Sequence, residues 1–380
     1  MSEQNESIIR RILSGMGIPD LIEILNRIPG KDFQSLLLRV MAERVRARPL
    51  SEIVQAADRE EFFGPSTLNQ RELQRFNEFF YRVVPETFTA IELSPVNPLG
   101  LNAVLTRVSQ NKVLSSLRGM EIVADPTTAL SLEAARRRRT LLEKNARDSS
   151  HVDLCTCHRI LRLQPFDKSL GYMQHFNVFA LCTAGRALAG TEAFTVQHAL
   201  RHLRIHLDLV RVLNQEGFNC REISVYVSDI RLMDLLIDRA SIDRAVVLRQ
   251  VLNPDFRAFD LLQTDLPPRT DTIHQVIEQL RAYGLTDQIR LFSVLENDLL
   301  DLLRREYPEI KVGLDLARIA GLGYYSDFCF HIYATNKDGR QIQLSDGGVS
   351  DWTQRLLVNR KERVLTSGFG AELVHRCFRR

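Results

Sequence analysis

The sequence predicts an α+β protein, in which an antiparallel β-sheet flanked by helices follows a helical domain. Three observations carry this. Residues 1–64 place apolar side chains at helical spacing. Two long strand-like segments, 151–163 and 172–182, are joined by a loop-like stretch, which suits an antiparallel pair. From residue 310 onward strand patterns return around the turn Asn336-Lys337-Asp338-Gly339.

Asp32 is placed to cap a helix whose apolar face is Phe33, Leu36, Leu37, Val40 and Met41, at i, i+3, i+4, i+7 and i+8. Pro49 ends that helix, and a short one follows over 50–57. Gly64-Pro65-Ser66 marks a boundary, so 1–64 is expected to be a helical N-terminal domain that packs or docks. A helix over 68–83 leads into short strands at 87–93 and 120–124. The next helix, 128–144, carries Arg136, Arg137, Arg138 and Arg139. Four successive residues point to every side of a helix, so they predict a solvated basic patch. After the two long strands come a helix over 194–216 and a strand at 222–227. Helices then dominate to 306, interrupted at Pro267-Pro268. Strands at 310–316, 327–334 and 340–345 follow. A helix from 351, a strand at 363–367 and a helix from 370 complete the chain. The expected core is 65–238 with 308–380, and 239–307 is a mostly helical insertion. No internal repeat is visible.

Composition narrows the function classes. The 380 residues are 44% hydrophobic and 26% charged, an ordinary globular balance. The 50 Lys and Arg nearly cancel 47 Asp and Glu, and a net charge of +3 does not argue for nucleic acid. No run of about 18 apolar residues exists to span a membrane. The polar start, Met1-Ser2-Glu3-Gln4-Asn5-Glu6, is not a secretory signal. Six cysteines lie scattered at 155, 157, 182, 220, 329 and 377, unlike a disulfide scaffold. A reduced, cytoplasmic protein is expected.

His198, His202 and His206 share one helix face at i, i+4 and i+8, a spacing at which two histidines can hold Zn²⁺. No carboxylate of the H-E-x-x-H kind accompanies them, so an exposed polar face is expected instead of a metal. Cys155-Thr156-Cys157-His158 has one residue between its cysteines and no second pair, and reads as a buried strand. The segments that suggest a small-molecule pocket lie near the C-terminus. Gly321-Leu322-Gly323-Tyr324-Tyr325 sits between two strands, where glycines let backbone approach a ligand and the tyrosines offer rings and hydroxyls. Asp346-Gly347-Gly348 is expected to end a strand before a helix, presenting N–H groups and a carboxylate. Gly368-Phe369-Gly370 repeats this before the last helix.

In this order, the segments resemble the catalytic core of class II aminoacyl-tRNA synthetases, in the histidyl branch. Gly321-Leu322-Gly323-Tyr324-Tyr325 is similar to that branch's Gly-Leu-Asp-Tyr-Tyr. Gly347-Gly348-Val349-Ser350-Asp351 resembles its Gly-Gly-Arg-Tyr-Asp, and Gly368-Phe369-Gly370 its Gly-Phe-Gly helix start. The similarity spans 67–380. It implies a homodimer that binds ATP and Mg²⁺ beside an amino acid. By the resemblance, Arg162, Gln164, Met173, Asp346, Gly368, Gly370 and Arg376 face the nucleotide, with Arg162 the candidate catalytic cation. Thr127, His175, Phe179, Tyr324, Tyr325, Gly347 and Gly348 face the amino-acid-like ligand.

The chain departs from the family around the reacting centre. Ala320 stands where the branch has an arginine at the α-phosphate, with Arg318 two residues away. Gln164 replaces one glutamate and Thr127 another. Preorganised cations stabilise the charge that develops during activation, so their loss implies weakened or altered chemistry. Thr127 and Phe179 cannot pair with a cationic imidazole, so histidine is not the expected ligand. No anticodon-binding domain is expected after the core, and tRNA is not an expected partner. The favoured function is a synthetase-like paralogue that binds a small ligand and serves as a regulatory or accessory subunit. Within the family, the regulatory subunit of ATP phosphoribosyltransferase is a precedent. The alternatives are an adenylate-forming ligase with another acid and a non-tRNA acceptor, and a ligand-free dimeric scaffold with 1–64 as its docking module.

Overall fold

A computed structural model describes residues 3–379 apart from 107, 164–172, 189, 252 and 254. Eleven strands are described: β1 Thr89–Ala90, β2 Val96–Pro98, β3 Met120–Ile122, β4 Val152–Leu161, β5 His175–Arg186, β6 Arg221–Asp229, β7 Arg269–Thr270, β8 Lys311–Asp315, β9 Phe328–Thr335, β10 Gln341–Ser350 and β11 Glu362–Phe369. Nine form one sheet in the order β1-β4-β5-β11-β10-β9-β6-β8-β7, while β2 and β3 pair separately. Only β1/β4 and β6/β8 are parallel among the described pairs. The expected antiparallel pair is β4/β5, which runs in register from Val152↔Ala184 to Leu161↔His175.

Helices cover both faces. On one lies Thr191–Gln215, 25 residues long, whose Leu203, Leu207 and Val210 join Phe179, Phe330 and Phe369 of the strands in the main core. Helices of the 239–307 segment share that core through Phe259, Leu280, Phe292 and Leu303, and its short strand β7 pairs with β8. Pro267-Pro268 precedes β7, and the two-residue strand is too short for a sequence period to announce. On the opposite face, Leu130 and Ala134 of helix Pro126–Lys144 pack with Leu101, Leu105 and Trp352 over Leu154, Ala180 and Val364.

The N-terminal stretch is helical, as Glu3–Met16, Leu21–Arg27, Gly30–Arg46 and Leu50–Arg59. Asp32 lies in the first turn of its helix instead of capping it. None of residues 6–60 is buried.

Three expectations are corrected. His198, His202 and His206 do not form an exposed face: all three have 0% exposure, beneath the sheet. Ser367 Oγ on β11 lies 2.8 Å from both His202 Nδ1 and His206 Nε2, and Thr183 Oγ1 lies 3.1 Å from His202 Nε2. The four-residue spacing was right for one face, but packing partners decide whether that face meets water. Arg138 is not part of a solvated patch. It is fully buried, with Nε and Nη2 donating to Glu362 at 3.0 and 2.9 Å and Nη1 to Asp148 at 2.5 Å. Its neighbours Arg136 and Arg137 pair with Glu133 near the surface. Finally, Asp346-Gly347-Gly348 does not end a strand. β10 continues to Ser350, and the trio pairs with β9 on one side and β11 on the other.

Candidate functional site

A cleft of about 520 Å³ opens at the junction of helix Pro126–Lys144, the 319–325 loop, the middle of β10 and the end of β11. The local sequence explains its walls. Asp125 caps the helix by accepting from Thr127 N–H at 2.9 Å, and Pro126 occupies the first helical position, where no N–H is needed. The helix N-terminus is thereby held at the cleft. Gly321 and Gly323 adopt φ of +100° and +79°, which lets the loop turn back after one tight coil. Tyr324 and Tyr325 then project from successive residues to two different carboxylates.

The first cluster is Asp125, Thr127 and Tyr324. Tyr324 OH donates to Asp125 Oδ2 at 2.7 Å. Thr127 Oγ1 donates to Asp125 Oδ1 at 2.7 Å and lies 2.7 Å from Tyr324 OH. Two hydroxyls supply two protons to three oxygen–oxygen contacts, so acceptor capacity remains for an incoming N–H. Burial and the Asp125 charge push the Tyr324 hydroxyl well above its usual pKa, keeping it protonated as a donor. Arg162 closes this end. Its Nε donates to Ala124 O at 2.8 Å, its guanidinium lies 5.6 Å from the Phe176 ring centroid, and its Nη2 is 4.0 Å from Asp125.

The second cluster is Asp346 with Tyr325 and Arg318. Tyr325 OH donates to Asp346 Oδ1 at 3.0 Å, and Arg318 Nη2 donates to the same oxygen at 2.8 Å. His331 Nε2 is 3.7 Å away. Burial pushes the Asp346 carboxyl up, but Arg318 and His331 outweigh it and hold the group well below the usual carboxylate range. Arg318 is almost fully buried, and its Nε donates to Ala320 O at 2.7 Å. It therefore reaches the region that Ala320 leaves without a cation, but as the partner of Asp346.

Of the residues singled out in the sequence, Thr127, Arg162, Tyr324, Tyr325, Asp346, Gly368 and Gly370 line the cleft together. Gln164 lies outside the described residues. The others are placed elsewhere. Phe179 is fully buried in the main core, stacked on Phe80 at 4.6 Å and on Phe76 at 5.4 Å. Its strand alternation turns it away from the cleft. Gly347 and Gly348 are packing residues: a Cβ on Gly347 would strike the Phe330 ring, and one on Gly348 would lie 2.5 Å from Phe328 O. His175 bridges Arg159 at 2.9 Å and Gly64 O at 2.7 Å, beside the buried Glu372 that Arg159 and Ser66 also engage. Met173 Sδ lies 3.0 Å from Arg376 Nη2, and neither residue is on the cleft lining.

Sequence reasoning missed Asp125 and Lys112, both on the lining. Asp-Pro-Thr at 125–127 is a recognisable helix start, and the cap carboxylate was the signal for Asp125. Lys112 comes from a short turn with no motif around it.

The residues fit Mg²⁺ poorly. Asp346 already has a full cationic partner, and no group of three or more metal-capable side chains occurs among the described residues.

No protein-family model and no curated protein matches the sequence. Solved structures do match. An ATP phosphoribosyltransferase regulatory subunit/histidyl-tRNA synthetase from Bacillus halodurans C is 15% identical over 83% of this chain and 82% of its own, with a TM-score of 0.60. A histidine–tRNA ligase subunit from Alicyclobacillus acidocaldarius is 16% identical over 82% and 94%, with a TM-score of 0.61. Histidyl-tRNA synthetase from Nostoc sp. PCC 7120 is 14% identical over 82% and 73%, with a TM-score of 0.56. The chain thus has the class II synthetase-like α+β fold. Among the described residues no helix is long and apolar enough to cross a membrane.

Proposed function

We propose that this protein binds a small, amine-bearing, amino-acid-like ligand in the cleft and acts as a regulatory or accessory subunit without charging tRNA. One observation carries the ligand reading: Asp125, Thr127 and Tyr324 form a ring of oxygens on the cleft wall with acceptor capacity left over. A protonated amine supplies the missing donors and the compensating charge. Tyr324 and Tyr325, in edge contact at 4.8 Å, make the aromatic part of the same wall.

The engagement of Arg318 favours binding over catalysis. Amino-acid activation needs cations held ready for a phosphate in the transition state. Arg318 instead has Nε on Ala320 O and Nη2 on Asp346, and only its Nη1 is left without a partner. Met173 and Arg376, the expected nucleotide contacts, touch each other outside the cleft lining. The regulatory role draws support from the fold shared with a protein described as a regulatory subunit. A homodimer and a docking role for residues 1–64 belong to the same proposal.

Thermal-shift titration with each amino acid, and with ATP and Mg²⁺, tests it, followed by ATP–pyrophosphate exchange on any compound that binds. A stabilising amino acid without exchange is the expected result. Exchange would replace the regulatory reading with an adenylate-forming ligase. No stabilisation by any compound would leave a ligand-free scaffold.

A further inference from the structure

We propose that the N-terminal helices pair with those of a second copy of this chain, with the apolar stripe of helix Leu50–Arg59 at the centre of the contact. This deepens the docking role of residues 1–64 and rests on that reading.

Helix Leu50–Arg59 places Leu50, Ile53, Val54 and Ala57 at i, i+3, i+4 and i+7, the spacing of one helix face. Such a face usually packs inward. Here all four residues are exposed, Leu50 by 81%, Ile53 by 51% and Val54 by 63%. A helix of 10 residues is marginal in water by itself and is normally held by a packed face. Helix Glu3–Met16 repeats the pattern, with Ile8, Ile12 and Met16 exposed at i, i+4 and i+8. Among the described residues, 15 of the 23 exposed large apolar side chains lie within the first 63 of 380 positions. At ~70 Å² each they leave roughly 1,000 Å² of apolar surface in water, against about 800 Å² buried per partner in a stable interface.

Charge selects the occupant. Residues 1–60 carry nine Lys and Arg and nine Asp and Glu. Arg10, Arg27, Arg39 and Arg48 each face a glutamate four residues away. A polyanion or an anionic membrane calls for a basic excess, and this segment has none. Two copies of a neutral surface do not repel each other. A stripe at i, i+3, i+4 and i+7 is also its own complement, because across a twofold axis each contact occurs twice. The base of the segment is fixed to the core: His175 Nε2 lies 2.7 Å from Gly64 O, and Ser66 Oγ donates to Glu372 at 2.9 Å. Each copy therefore presents its helices from the same point.

Sedimentation equilibrium of the full chain, from about 1 to about 50 μM, tests this. The double variant Ile53→Glu, Val54→Glu should halve the mass of the natural assembly. Neither residue is buried and glutamate is a good helix former, so the variant should keep its helix content and melting midpoint. Ser51→Glu with Gln55→Glu adds the same charge on the polar face and should leave the mass unchanged. Ile53→Leu with Val54→Leu should do the same. The inference is overturned if the Ile53/Val54 glutamate variant keeps the natural mass. An associating chain would then retain the homodimer through its core, whereas a monomeric natural chain would remove the homodimer as well. Sedimentation with phosphatidylglycerol vesicles that the same glutamates abolish, with no change in mass, would overturn the pairing and leave the docking role standing with a membrane as occupant. The cleft reading is untouched by any of these results, because no residue before Asn102 lines the cleft.

Discussion

Tyr324 and Tyr325 show how much one hydroxyl can organise. They are adjacent in sequence, yet one serves Asp125 and the other Asp346. Tyr324→Phe should destabilise the fold by about 1–2 kcal/mol in urea unfolding, since it removes a donor from a carboxylate inside the wall. It should also weaken any amine ligand, whereas a purely structural hydroxyl would change the unfolding midpoint alone. Arg138 is the second residue on which the fold depends. It and Glu362 each have 0% side-chain exposure, and removing one partner leaves the other charge buried without compensation. Arg138→Ala should cost about 3–5 kcal/mol, read from the shift in urea midpoint. A loss below 1 kcal/mol would mean that water reaches Glu362. Gly348 is constrained by contact: a Cβ there would meet the backbone oxygen of Phe328, which has no rotamer to escape into. Gly348→Ala should therefore destabilise by about 1–3 kcal/mol. None of these three costs is visible in a motif. A glycine pair reads the same whether a ligand or a phenyl ring approaches it.

At the scale of elements, the helix Thr191–Gln215 and strand β11 are joined by a buried polar seam. Burial, with His151 and Arg201 nearby, holds the His198 pKa down at about 3. Burial alone holds His206 at about 3, and His202 lies well below its usual value. A histidine in an unfolded chain titrates near ~6.5. Between those limits the unfolded chain takes up protons that the folded chain refuses. The contribution to stability is therefore complete above about pH 6.5 and declines as pH falls towards about 3. Urea midpoints measured across that range should drop with acidification, and His198→Leu should make the slope shallower. An identical slope in the variant would show that other groups carry the acid sensitivity. The sequence showed that the three rings share a face, but the expectation that this face meets water was wrong. A charge-poor ring at i, i+4 and i+8 fits water or a sheet equally well, and only Ser367 and Thr183 opposite decided it.

Across the whole molecule, the core and the N-terminal helices obey different rules. Every layer over the nine-stranded sheet buries side chains, while none of residues 6–60 does. Ile8, Ile12, Ile22, Val40, Leu50 and Val54 are all exposed. A chain shortened to residues 61–380 should therefore unfold cooperatively with a midpoint close to that of the full chain, by calorimetry. A large fall would mean that the first helices brace the core. What the sequence determined by itself was local: helical spacing before residue 64, the β4/β5 pair, the Asn336–Gly339 turn and the order of glycine segments around the two tyrosines. These follow from neighbours within a few residues, where backbone sterics and periodicity act. What only the tertiary structure decided was partnership. Arg318 meets Asp346 across 28 residues, Tyr324 meets Asp125 across 199, and Arg138 meets Glu362 across 224. Such pairs depend on which strands lie side by side. That order is set by burying the whole core at once, and no short window of sequence contains it.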